Sequence, residues 1–237
     1  LVENKSMQKD FDKNYTLKNI GWKSSNESEI IIIAIHGYND YSNAFKDPAL
    51  FFSKFEIDTH SFDLRGFGKN SNRGKWIPLN VHIYDVERFL KKIRGENPKK
   101  KIFLLGESMG AAIAIGYANQ RNIDSIDGLI LVAPAIWNFT EQNPIKSFIL
   151  RVLSNFFPNS KVSGKGIIKV RPSDNIEMLK KFSTDPLIIK KPSLDSLNGI
   201  VELMDKSFKN AEKYFSNPKF DTLIVLPIID EIVPRKP

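Results

Sequence analysis

The residues of this chain best suited to chemistry are a serine between glycines (Gly106-Glu107-Ser108-Met109-Gly110), histidines at 36, 60 and 82, and a late acidic pair, Asp230-Glu231. A Gly-x-Ser-x-Gly spacing fits a nucleophile on a sharp strand-to-helix turn, where the glycines remove side chains that the turn has no room for. The flanking residues agree. Ile102-Phe103-Leu104-Leu105 reads as a buried strand, and the Ala- and Ile-rich residues 109–119 read as a helix. A serine presented in this way attacks an acyl carbon, and the oxyanion that develops needs two converging N–H donors. Met109, at the start of the helix, offers one, because N–H groups in a first helical turn have no partner inside the helix. The turn His36-Gly37-Tyr38-Asn39, which follows an earlier apolar run, offers the second through the Tyr38 backbone. His36 belongs to that strand end, and it reads as a loop-organising residue rather than a base.

Composition narrows the chemistry. The chain has no cysteine, which excludes disulfides, thiolate catalysis and cysteine-based zinc sites. The three histidines lack the i,i+4 spacing of a helical metal site, so no metal is expected. A net charge of +8 favours anionic surfaces, but no nucleic-acid-binding motif accompanies it and nucleic acid is not an expected partner. No apolar run reaches the length of a membrane span. The chain opens Leu1-Val2-Glu3 and not with Met, which points to a segment removed upstream and leaves the compartment open.

Several elements must position these groups. Ile30 to Ile35 is a continuous apolar run ending at His36-Gly37, as in a strand buried on both faces of a parallel sheet. Further strands are predicted over 55–62, 102–105, 128–132 and 222–226, with a helix over 79–93 whose apolar stripe runs through Val81, Val86, Phe89, Leu90 and Ile93. Strands alternating with helices imply crossover connections and a mostly parallel sheet. Residues 137–216 show helical segments and no strand. They read as a helical lid inserted into a core made of 1–136 and 217–237. The lid carries 13 Lys and Arg against 8 Asp and Glu. Its most apolar segment, 145–157, fits three settings: packing on the core, lining an acyl pocket, or touching an anionic membrane surface.

His36-Gly37-Tyr38, Asp63-Leu64-Arg65-Gly66-Phe67-Gly68 with Ser71, and Gly106-Glu107-Ser108-Met109-Gly110 together resemble the α/β-hydrolase fold. Within it they are similar to the monoacylglycerol lipase and lysophospholipase-like branch. Asp230-Glu231-Ile232-Val233-Pro234 looks like that branch's acid-bearing loop, although Pro227 stands where the family usually has glycine. The resemblance implies hydrolysis of carboxylic esters of single-chain lipids without a cofactor. It implies Ser108 as nucleophile, Asp230 as the acid that orients a histidine (with Asp221 and Glu231 as rivals), and Tyr38 and Met109 as oxyanion donors. Non-lipid esters, or binding without turnover, are the other readings that the residues leave open.

One departure concerns the base. The order in this fold is Ser, Asp, His, yet all three histidines precede Ser108. The expectation is therefore a chain that stops short of its catalytic histidine and of the family's last strand and helix. Such a chain would be nearly inert on esters by itself.

Overall fold

The computed structural model describes residues 12–120, 123–163 and 173–230. Its strands are β1 (Asn19–Trp22), β2 (Ile30–Ile35), β3 (Ile57–Phe62), β4 (Lys101–Glu107), β5 (Gly128–Val132) and β6 (Asp221–Val225). Its helices are α1 (Lys46–Phe52), α2 (Leu79–Glu96), α3 (Met109–Ala118), α4 (Phe139–Gln142), α5 (Pro144–Phe156), α6 (Ile176–Thr184) and α7 (Leu194–Ser216). The strands form one sheet in the order β1-β3-β2-β4-β5-β6, in which only β1 is antiparallel to its neighbour. This is the mostly parallel sheet that the alternating pattern predicts. β1 is an addition that the sequence pattern does not signal.

Side chains alternate across a strand, so the isoleucine run of β2 supplies both faces. Ile31, Ile33 and Ile35 enter the larger core with α2 and α3, and Ile32 and Ala34 pack with Phe45 and Leu105 on the other side. α3 is buried along its whole length, which is why it consists of Ala, Gly, Ile, Met and Tyr and has no polar face. The residues 137–216 do not pack as one layer. α7 lies along α3 with Val201, Leu203, Ala211 and Tyr214 buried, and its Asn210 carbonyl accepts from Asn119 Nδ2 at 2.7 Å. α5 instead leaves Ile145, Phe148, Ile149 and Phe156 more than half exposed. Among the described residues no helix is long and apolar enough to cross a membrane.

One ion pair lies in the core. Arg65 grips Asp85 of α2 with two bonds of 2.7 and 2.8 Å, and both side chains are almost fully buried. The pair ties the loop after β3 to α2 and leaves neither charge in water. Removing the Asp85 carboxylate deletes both of these bonds to a buried guanidinium. Asp85→Ala is therefore expected to lower stability by about 3–5 kcal/mol, read from urea unfolding.

Candidate active site

β2 has β3 on one side and β4 on the other, so the connections leaving β2 and β4 diverge and open a crevice at the carboxyl edge of the sheet. The Ser108 turn and the 36–39 loop meet in that crevice, since Ile35 is paired with Gly106. Ser108 sits between β4 and α3 with φ 52° and ψ −113°, a left-handed conformation that costs a non-glycine residue energy. Its N–H donates to the Val132 carbonyl at 2.9 Å, and its carbonyl accepts from Ala135 at 3.0 Å.

The two motif glycines allow this close fit. A Cβ on Gly110 would run into the Ile35 carbonyl and come within 2.9 Å of the His36 carbonyl oxygen. A Cβ on Gly106 would collide with the backbone of Gly110 and Ala111. Without those side chains the start of α3 abuts the end of β2. Gly37 then lies so near the nucleophile that a Cβ there would be 3.4 Å from Ser108 Cβ.

A short chain of hydrogen bonds sets the direction of the 36–39 loop. The Leu64 N–H donates to His36 Nε2 at 3.0 Å, which leaves His36 Nδ1–H to donate to the Gly37 carbonyl at 2.8 Å. That carbonyl belongs to the same planar peptide unit as the Tyr38 N–H, and in a trans peptide the two point in opposite directions. Holding the carbonyl toward His36 turns the Tyr38 N–H away from it. Among the described residues neither the Tyr38 nor the Met109 N–H is engaged in a hydrogen bond. The Tyr38 ring packs edge-on to Phe67 at 6.0 Å and tilted to Trp76 at 6.4 Å, and its hydroxyl is 2.8 Å from Ser196 Oγ on α7. Two further bonds join this loop to the segment before α7: Tyr41 hydroxyl to Asp185 at 2.7 Å, and Ile189 N–H to the Asn39 carbonyl at 3.2 Å.

None of the histidines forms a hydrogen bond to Ser108. Both ring nitrogens of His36 are committed, and burial drives its pKa down to about 4, so it stays neutral. His82, fully buried on α2, is pushed down to about 3, again chiefly by burial. His60 is half-buried in β3 opposite Gly21. Asp230 follows β6 at the same edge of the sheet as Ser108 and is partly buried. Glu231 and the rest of that predicted acid-bearing loop lie outside the described residues. Asp221 opens β6 at the opposite end, away from the carboxyl edge. Among the described residues no cluster of His, Asp and Glu is arranged to hold a metal ion.

Sequence reasoning gave no role to Glu107 and Asp40. Burial pushes the Glu107 carboxyl up to about 7, with a push from Asp40 and a smaller opposing pull from the Gly37 N–H. Asp40 rises to about 6, again mainly through burial. Any signal for either would have had to come from the closeness of loop and turn, which a linear pattern does not carry.

A Ser on a strained strand-to-helix turn, facing a loop with a free N–H at the switch point of a parallel sheet, defines an α/β-hydrolase. The chain belongs to the family described as serine aminopeptidase, S33 (Hydrolase_4), whose model matches residues 26–237. It is 25% identical to monoglyceride lipase of Rattus norvegicus, over 70% of this chain and 55% of that protein. It is 24% identical to phospholipase YtpA of Bacillus subtilis, over 83% of this chain and 75% of that protein. The chain thus spans about half the length of the first of these relatives. In fold it is similar to a soluble variant of monoglyceride lipase from Saccharomyces cerevisiae solved with a substrate analog. The TM-score is 0.69 at 18% identity, covering 92% of this chain and 88% of that one.

The raised Glu107 pKa makes a prediction about stability. Between its ordinary value of 4.5 and about 7 the folded protein keeps a proton that the unfolded chain has released, so this group's contribution falls as pH rises through that window. Glu107→Gln cannot ionise. Its stability relative to the native protein is expected to increase from pH 4.5 to 7 and level off above, as measured by urea unfolding at each pH.

Proposed function

We propose that this protein is a serine hydrolase of carboxylic esters, acting on single-chain lipids of the monoacylglycerol or lysophospholipid kind. The observation that carries the reading is Ser108 at positive φ against Gly37, with the Tyr38 and Met109 N–H groups unengaged beside it. Ser108 Oγ attacks the ester carbonyl carbon and gives its proton to a base. The Tyr38 and Met109 N–H groups hold the resulting oxyanion. Collapse expels the alcohol, which takes the proton from the base, and water then releases the acid from the acyl-enzyme. Asp230 orients the base in this reading. In this fold the base is a histidine that follows the acid in chain order, and His36, His60 and His82 all precede Ser108. No cofactor enters the reaction.

The lipid substrate is supported by the names of the relatives and by the helices that follow β5. We assign the lid to α4, α5 and α6, and place α7 with the core against which it packs. Phe148, Ile149 and Phe156 of α5 project into solvent, and Lys146 and Arg151 share the helix with them. An apolar face with a cationic rim suits the surface of an anionic bilayer, where the substrate is dissolved. Phe148→Asp with Ile149→Asp is expected to weaken binding to phosphatidylserine-containing vesicles at least about tenfold, as followed by vesicle sedimentation. Equal binding by the variant would remove α5 from the contact.

The central test is intact-protein mass after exposure to a fluorophosphonate probe, with Ser108→Ala in parallel. A single adduct on the native protein that is lost in the variant is the expected result. An unlabelled native protein that still binds vesicles would make this a lipid-binding member of the fold. If the adduct forms, hydrolysis of long-chain monoacylglycerol should exceed that of short soluble esters. The reverse preference would point to non-lipid esters.

A further inference from the structure

The side chain of Tyr38 is half-buried and rests on one face of α7. Its hydroxyl is 2.8 Å from Ser196 Oγ, and Ser196 is 4% exposed. One turn further along the same face of the helix, Gly199 is buried against the Trp76 indole, and a Cβ there would run into that ring. Trp76 in turn flanks the Tyr38 ring at 6.4 Å, with Phe67 edge-on to it at 6.0 Å. The phenol is thus held at its tip by Ser196 and along its ring by two aromatic neighbours, one of them packed on Gly199. The turn that carries Ser196 is itself fixed. First-turn N–H groups have no partner within the helix ladder, yet here each finds one. Leu194 donates to the Ser160 carbonyl at 2.9 Å, Asp195 to the Pro158 carbonyl at 3.1 Å, and Ser196 to Oγ of the capping Ser193 at 3.2 Å.

We propose that Ser196 is a positioning residue for the reaction, holding the Tyr38 phenol so that the Tyr38 N–H keeps its direction toward the oxyanion. The inference rests on the reading of Ser108 as nucleophile and of Tyr38 as oxyanion donor. The peptide between Gly37 and Tyr38 is planar, so anchors at its two ends leave it little freedom. One anchor is the Gly37 carbonyl oxygen, which accepts from His36 Nδ1 at 2.8 Å. The other is the Tyr38 Cα, fixed through its ring and hydroxyl. His36 alone would let the unit swing about its carbonyl, because glycine leaves the dihedrals on that side soft. A donor held from both ends needs no reorganisation when charge develops on the substrate, as oxyanion stabilisation requires. Ser196 acts only through the phenol, so its loss removes no donor from the oxyanion.

The test uses Ser196→Ala, Tyr38→Phe and the double variant, all of which delete the same bond, with Ser207→Ala as control. Ser207 is buried further along the same helix, where its hydroxyl is 3.5 Å from the Ala112 carbonyl. Far-UV circular dichroism and Tm report folding. The rate of fluorophosphonate labelling at Ser108 and the NMR order parameter of the Tyr38 amide report positioning. Both single variants should label about three- to tenfold more slowly than native, the scale of one net hydrogen bond. The double variant should be no slower than the slower single, since one shared bond is lost in each. The Tyr38 order parameter should fall in both from the value of about 0.85 typical of rigid backbone, while Ser207→Ala labels at the native rate. Native labelling or an unchanged order parameter in either folded single variant would overturn the proposal. So would losses that multiply in the double variant, or an equal slowing by Ser207→Ala. If one single variant does not fold, the other carries the same expectation. A native protein that takes no label fails the reading of Ser108, and the order parameter then decides by itself whether Ser196 holds the loop.

Discussion

How closely the first turn of α3 can approach the end of β2 governs the whole carboxyl edge of this sheet. Gly110 packs against the Ile35 and His36 carbonyls at a separation that any β-carbon would prevent. That approach brings the N-terminus of a fully buried helix beside the loop from His36 to Asn39, and it makes the backbone of Ser108 take a left-handed turn. The conformational cost at Ser108 is met by rigid surroundings: a strand behind it, a buried helix in front, and Val132 and Ala135 bonded to its own peptide groups. A site built in this way draws its directionality from backbone atoms, which makes it dependent on packing several residues away.

The loop facing Ser108 shows the same economy. One tautomer of one neutral histidine links the strand-end loop at Leu64 to the Gly37 carbonyl. His36 stays neutral because it is sealed from water, with the Phe67 ring edge-on at 5.6 Å. The turn at Leu64 is braced in its turn by Asp63, which accepts from the Ser42 N–H and hydroxyl and from the Lys69 N–H, and by the Arg65–Asp85 pair below. The residues Asp63 to Gly68 thus act as the foundation of the loop that faces the nucleophile, without themselves reaching the reacting atoms.

Much of this was legible because a few segments are constrained on every side. The run Ile30 to Ile35 must be buried on both faces, and Gly128 to Val132 likewise, so their strands emerge with those boundaries. The serine turn was legible because two glycines at fixed spacing mark a backbone approach that no other residue permits. β1 was not, since Asn19-Ile20-Gly21-Trp22 is short and mostly exposed, and it becomes a strand only through pairing with β3. His82 and Asp85 interrupt the apolar stripe of α2, and their burial depends on Trp76 and Arg65, which lie outside the helix. α7 has an apolar face that would serve equally well in a lid or against the core, and its sequence does not say that Leu203, Ala211 and Tyr214 are buried beside α3. The closeness of the Glu107 carboxyl to Gly37, far away in the chain, comes only from the pairing of β2 with β4.

The three contacts between the 38–41 loop and the segment from Asp185 to Ser196 carry a further meaning. Two parts of a molecule joined in this way exert equal influence on each other, because free energies of coupling are symmetric. Any ligand that favours the present direction of the Tyr38 peptide must also hold Asp185 to Ser196 in place, by the same amount that this segment tightens the binding. The direction of the Tyr38 peptide and the placement of Asp185 to Ser196 are, in that sense, a single equilibrium read from two ends.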